Sequence, residues 1–219
     1  MRPYTVTTTL LSDDADGIAT SQSPGASALT LDGALASGGV ATLPNAQRVR
    51  LTSGGNDSGI TFAVVGTDAD GNAASETITG ANATTADGDS YFLTVTSITP
   101  SGAVAGTITA GCEESLGAVT PSYRVNRRER DFKLMLAVEL STSPTLTYTA
   151  QFSPDNPEDG NFGTAAATYC NSADWRSIDG LTALAATDES NINFPVEAVR
   201  LNITTNTVGT ATFKVRQAT

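Results

Sequence analysis

Apolar and polar residues alternate along most of this chain in short runs, and many of the apolar positions are β-branched or aromatic. The clearest run is Phe132, Leu134, Leu136, Val138 and Leu140 against Lys133, Met135, Ala137 and Glu139. A period of two turns one row of side chains to a core and the other to solvent, as in a half-buried strand. After Ser141-Thr142-Ser143-Pro144, the row Leu146, Tyr148, Ala150 and Phe152 faces away from Thr145, Thr147, Thr149 and Gln151. The run 208–217 sets Ala211, Phe213 and Val215 inward and Thr212, Lys214 and Arg216 outward.

The first half repeats the style less regularly. Residues 4–10, 47–53, 58–66, 75–80, 90–99 and 103–110 read as strands separated by Gly, Asp and Asn clusters. Ile60, Phe62 and Val64 share one face, and Tyr91, Leu93 and Val95 share another. Ser12 to Gly39 reads as loop, dense in Asp, Gly, Ser and Ala. A helical period fails because β-branched residues recur at alternate positions without caps; only 180–187 is a candidate helical turn.

The expected fold is therefore all-β, as two tandem β-sandwich domains of immunoglobulin-like or jelly-roll-like type, residues 1–120 and 121–219. An internal echo favours duplication. Leu43-Pro44 precedes Val49-Arg50-Leu51 and then Phe62, while Phe194-Pro195 precedes Val199-Arg200-Leu201 and then Phe213.

Composition sharpens this picture. Hydrophobic residues are 39% and aromatics 6% of 219 residues, so Val, Leu, Ile and Ala must fill thin cores. No histidine is present, which removes the commonest general acid–base and metal-ligating side chain. Formal net charge is −11. Residues 1–123 hold Arg2, Arg48 and Arg50 against twelve acids, while 124–219 hold nine basic residues against eleven acids. So acidic a first half repels phosphate backbones, which argues against direct nucleic-acid binding. Cys112 and Cys170 are too few and too far apart for a disulfide framework and read as buried thiols, with a bridge as the alternative. The start lacks a signal-peptide core and no run approaches a membrane span, so a soluble protein folded in the cytoplasm is expected.

Candidate chemistry is sparse. Asp68-Ala69-Asp70-Gly71-Asn72 superficially matches a calcium loop. Position six would be Ala73 and position twelve Thr79, where the EF-hand needs Gly and a bidentate acid. A tight turn explains it, as it does Asp16-Gly17 and Asp87-Gly88. The 153–160 segment carries Asp155, Glu158 and Asp159, but on one loop rather than across the rigid cleft a glycosidase requires. It reads as a solvated loop or one touching a neighbouring subunit.

Arg124, Arg127, Arg128, Arg130 and Lys133 form the one basic cluster. Glu129 and Asp131 interrupt it, and no aromatic interleaves it for base stacking. It is either a solvated strand edge that deters strand pairing or a docking patch for a neighbour's carboxylates. Trp175, the only tryptophan, reads as a core or rim anchor. Without histidine or a Gly-x-Ser-x-Gly elbow, no serine reads as a nucleophile. No catalytic, cofactor or metal residue is expected. The interface candidates are Arg124, Arg127, Arg128, Arg130, Lys133, Asp155, Glu158 and Asp159.

Two stretches carry a resemblance. One runs from Val49-Arg50-Leu51 through 59–72 to 75–80, continuing over Tyr91–Thr99 and Gly106-Thr107-Ile108. The other comprises Leu146–Gln151, Trp175, Gly180–Leu184 and Phe194-Pro195 through Val199–Asn202. Both resemble modules of tailed-bacteriophage structural proteins. The resemblance implies an accessory virion component: a decoration or cement protein on the head, or a collar or neck protein. It implies major capsid, portal or neck proteins and copies of the chain itself as partners, with no membrane contact, and it carries over no catalytic residue. The alternative expectation is a carbohydrate-binding adhesin using Trp175 and the 153–160 loop.

Overall fold

A computed structural model describes residues 4–9, 11, 13–126, 132–156 and 169–217. The protein is almost wholly β, with sixteen strands among the described residues that pair antiparallel in the ladders described below. It divides into two compact units. One is continuous, Ser12–Leu116; the other is split, joining Met1–Leu11 to Gly117–Thr219.

The continuous unit contains β2 (Asp14–Gln22), β3 (Ala36–Ser37), β4 (Val40–Ser53), β5 (Thr61–Thr67), β6 (Ala73–Thr79), β7 (Thr85–Pro100) and β8 (Ile108–Cys112). Pairing runs β2-β8-β4-β7-β5-β6, with the short β3 folded back on β4. Ile18, Leu51, Phe62, Val64, Phe92, Val95, Ile98 and Ile108 pack as its core, each fully buried. The β4–β7 register shifts between Thr42 and Gln47, the stretch holding Pro44, whose missing N–H cannot complete a ladder. At the β5–β7 shift, a Cβ on Gly66 would lie 1.8 Å from the Thr94 carbonyl oxygen, so only glycine allows the strands to approach.

Several expectations change here. The segment 12–39 contains β2, whose Ile18 and Ala19 are fully buried despite an Asp- and Gly-rich context. In β7, Phe92 and Val95 point inward while Tyr91 and Leu93 are half-buried, because bulges break the simple alternation. Asp87-Gly88 is not a hairpin turn but a bulge inside β7. There the Glu76 carboxylate accepts the N–H groups of Asp89 (2.5 Å) and Ser90 (3.2 Å). Asp16-Gly17 likewise lies within β2. By contrast, 68–72 is the expected turn. Asp68 N–H donates to the Asn72 carbonyl at 2.9 Å, and Gly71 has φ +79°.

The split unit contains β1 (Tyr4–Thr7), β9 (Ala118–Val119), β10 (Tyr123–Arg124), β11 (Leu134–Leu140), β12 (Thr145–Ser153), α1 (Tyr169–Ser172), β13 (Arg176–Ser177), β14 (Asp188–Ile192), β15 (Ala198–Val208) and β16 (Ala211–Gln217). One sheet has the order β1-β16-β11-β14. In the other, β13 pairs β12 and β12 pairs β15, which also pairs β9 and β10. Leu134, Leu136 and Val138 of one sheet and Tyr148, Leu201 and Ile203 of the other share one core, a sandwich-like arrangement.

The alternation expected for 132–140 and 211–215 is present: Leu134, Leu136, Val138, Ala211, Phe213 and Val215 are buried. The sequence boundary near Pro121 assigns residues 4–10 to the first half. Instead β1 pairs with β16, Tyr4 opposite Val215 and Thr7 opposite Thr212. Residues 180–187 are not helical; Leu184 forms an isolated bridge with Tyr148, and the one α-helix among the described residues is α1. The echo is local only. β4 and β5 share a sheet with β7 between them, whereas β15 and β16 lie in different sheets. No helix among the described residues is long and apolar enough to cross a membrane.

Candidate functional site

In the split unit, two aromatic and two cationic side chains converge around α1. Tyr169 opens this helix and is almost completely buried beside Ala173 and Ala198. Its hydroxyl donates to the Asp155 carbonyl oxygen at 3.0 Å. Burial pushes the phenol up to about 12. The Trp175 ring meets Tyr169 edge-on, centroids 5.6 Å apart at 67°, a favourable quadrupole arrangement. The indole N–H donates to the Cys170 carbonyl at 3.0 Å, which fixes the ring against the helix.

Two arginines complete the cluster. Arg200, at the middle of the Val199-Arg200-Leu201 run on β15, is 5% exposed. Its guanidinium lies 4.1 Å from the Trp175 ring centroid and donates to Gln151 Oε1 at 2.9 Å and to the Cys170 carbonyl at 2.7 Å. A planar, weakly hydrated cation tolerates such burial when its donors are met and a π-face covers it. Arg124, exposed on β10, sits 5.9 Å over the Tyr169 ring.

The structure thus brings two of the interface candidates, Arg124 and Asp155, to the same tyrosine. Asp155 is held locally: its N–H donates to Ser153 Oγ at 3.1 Å, and its Oδ2 accepts the Asp174 N–H at 2.6 Å. Lys133 is exposed immediately before β11. Arg127, Arg128, Arg130, Glu158 and Asp159 lie outside the described residues. Trp175 is the rim anchor expected, with a cation on its ring rather than an open platform. Tyr169 and Arg200 escaped the sequence reading, although Arg200 stood in plain view inside the echo as a charge between two core residues.

The continuous unit handles charge differently. Its only basic residues are Arg48 and Arg50, against twelve acids. Arg48 Nε donates to the Leu116 carbonyl at 3.1 Å, and its Nη1 lies 3.7 Å from Asp89. Arg50 binds Asp87 and Glu113. Both cations are therefore engaged inside the unit, and the remaining acids set the character of its surface. Cys112 and Cys170 are both buried and form no disulfide.

No protein-family model and no curated protein matches this chain. Among solved structures, allantoicase from Saccharomyces cerevisiae aligns over 80% of this chain and 76% of its own, at 9% identity and a TM-score of 0.24. A chain of infectious bursal disease virus, Gt strain, aligns over 99% of this chain and 70% of its own, at 10% identity and a TM-score of 0.17. At these scores neither similarity defines a fold or an activity for this protein.

Proposed function

We propose that this chain is a non-enzymatic structural protein of a tailed-phage particle, made in the host cytoplasm and seated outside the head or around its neck as a symmetric oligomer. Its work is adhesion to capsid, portal or neck proteins and to its own copies. The observation that carries the reading is the charge arrangement of the continuous unit, which has twelve acids and two arginines already bound within it. Such a surface is repelled by packaged DNA and favours neutral or basic protein neighbours, which suits an exterior position. The all-β frame and the sequence resemblance to phage structural modules support the same reading.

Arg124 and the neighbouring basic run to Lys133 are the docking patch in this proposal. Modest contacts suffice when many copies engage a repeating shell, because each bound copy raises the effective concentration of the next contact. The test is imaging and protein mass spectrometry of purified particles from a phage that encodes the chain. The expected result is density on the outer head or neck in whole-number copies per symmetry axis. Paired Arg127→Glu and Arg128→Glu substitutions should lower occupancy without unfolding the protein. A chain absent from particles would overturn the reading, and unchanged occupancy in the charge-reversed variant would overturn the patch.

A further inference from the structure

The open side of the split unit's sandwich carries a cleft of about 300 Å³, near the lower bound of roughly 300 Å³ for small-ligand sites. It forms where β13, the terminal strand of one sheet, and β14, the terminal strand of the other, leave the sandwich unclosed. Ile178 and Ile192, 4% and 2% exposed, belong to the core that forms its floor. Phe152 and Phe194 form an aromatic wall, their centroids 5.4 Å apart and their planes at 72°. Asp179 also belongs to the lining.

The wall and the polar groups are held by the fold. Phe152 is fixed in β12 opposite Arg176 of β13. Asp179 sits on a turn completed by Gly180 at φ +79°, and Ser190 Oγ on β14 donates to the Asp179 carbonyl at 3.1 Å. Phe194 is nevertheless 51% exposed, one of three exposed large hydrophobic residues among the described residues. No hydrogen bond from another described residue engages the Asp179 carboxylate, which is exposed. An exposed aromatic face beside a free carboxylate acceptor is a mixed surface: it suits a ligand with one apolar face and neighbouring hydroxyls.

We propose that this cleft binds the pyranose ring of a neutral sugar. The C–H face of the ring lies on Phe194, and adjacent hydroxyls donate to the Asp179 carboxylate. Charge selects among sugars. Asp179 lines the cleft, so a uronic or sialic carboxylate meets repulsion. The cleft's volume accommodates one ring, which makes a terminal residue of a glycan the natural occupant. This site is independent of where the protein sits on a particle.

The test is a titration of the full chain with methyl β-D-glucopyranoside, methyl β-D-galactopyranoside and methyl β-D-glucuronide, read by amide resonances. Cyclohexylmethanol serves as a ring of similar size that lacks the hydroxyls. Saturable shifts confined to residues 176–194 are expected with at least one neutral glycoside, with weaker or no response to the glucuronide and to cyclohexylmethanol. Phe194→Ala should weaken binding by roughly tenfold or more, and Asp179→Asn should weaken it while the remaining spectrum is unchanged. The proposal fails if neither neutral glycoside shifts the cleft or if cyclohexylmethanol binds as well as the glycosides. It also fails if the glucuronide binds best, or if Phe194→Ala, folded by circular dichroism, binds undiminished.

Discussion

Arg50 grips Asp87 with two parallel hydrogen bonds across the β4–β7 ladder, Nε to Oδ1 at 2.5 Å and Nη2 to Oδ2 at 2.8 Å. The same guanidinium reaches Glu113, just beyond β8, which also pairs with β4. One side chain therefore ties three adjacent strands. Arg50→Met should lower the stability of the continuous unit by about 1–3 kcal/mol, the scale of hydrogen bonds to charged groups, and Arg50→Lys should restore only part. Urea denaturation of the variants measures this, and an unchanged midpoint in Arg50→Met would show that the fork is ornamental.

Asp87 and Asp68 should respond to acid with opposite signs. The Arg50 guanidinium holds the Asp87 carboxyl below the ordinary carboxylate value of 3.8, so its contribution is present above that value and is lost as pH falls through the lowered folded value. Burial raises the Asp68 carboxyl above 3.8, outweighing the two turn N–H groups that bond its Oδ1 at 2.9 Å. Its folded state holds the proton longer than the unfolded chain. Stability from this group is present below 3.8 and declines as pH rises through the raised folded value.

Asp68→Asn keeps an oxygen to accept both turn N–H groups and removes the buried charge. The variant should match or exceed the parent in stability at neutral pH and lose the decline just described. Thermal melts across pH 3 to pH 7, roughly the carboxylate range, provide the measurement. A variant much weaker at neutral pH would mean that the ionised carboxylate is required.

Gly66→Ala should be severe and Gly59→Ala nearly silent. The first forces a methyl group to 1.8 Å from a backbone oxygen that cannot swing aside, while the second meets nothing within 4 Å. A loss of about 2 kcal/mol or more is expected at Gly66, against a change within about 0.5 kcal/mol at Gly59. Comparable melting of the two variants would remove the steric explanation of the β5–β7 register shift.

Trp175→Phe retains an aromatic ring near Arg200 but loses the N–H bonded to the Cys170 carbonyl. It should cost the split unit about 1 kcal/mol. Trp175→Ala also loses the ring contacts to Arg200 and Tyr169 and should cost about 3 kcal/mol. Far-UV circular dichroism in denaturant distinguishes these, since both substitutions remove the only tryptophan.

The sequence was most legible where a strand runs unbroken. Leu134, Leu136 and Val138 follow the two-residue period in the structure as they do on paper. It was least legible where bulges reset that period. Phe92 replaces its neighbours Tyr91 and Leu93 as the inward residue because β7 contains Asp87-Gly88 and shifts register against β4. The strand β2 was hidden because its buried Ile18 and Ala19 are surrounded by turn-forming residues. At the candidate site, Trp175 could be read as an anchor from its rarity. The convergence of Tyr169, Arg200, Arg124 and Asp155 depends on pairings between segments far apart in sequence, which no local pattern encodes. The same is true of the Phe194 cleft, which arises from two strands of different sheets ending beside each other.

The partnership of β1 with β16 also sets an order of events during synthesis. The earliest strand of the split unit leaves the ribosome some two hundred positions before its neighbour, with a whole compact unit between them. Until Ala211–Gln217 emerges, Tyr4–Thr7 has no ladder to join, and the two-sheet core remains open along that border. The intervening unit can meanwhile complete its own strands from local sequence. Closing this long loop thus waits for β16, and a peptide copy of β1 offered to the nascent chain would compete for a place that stays vacant until then.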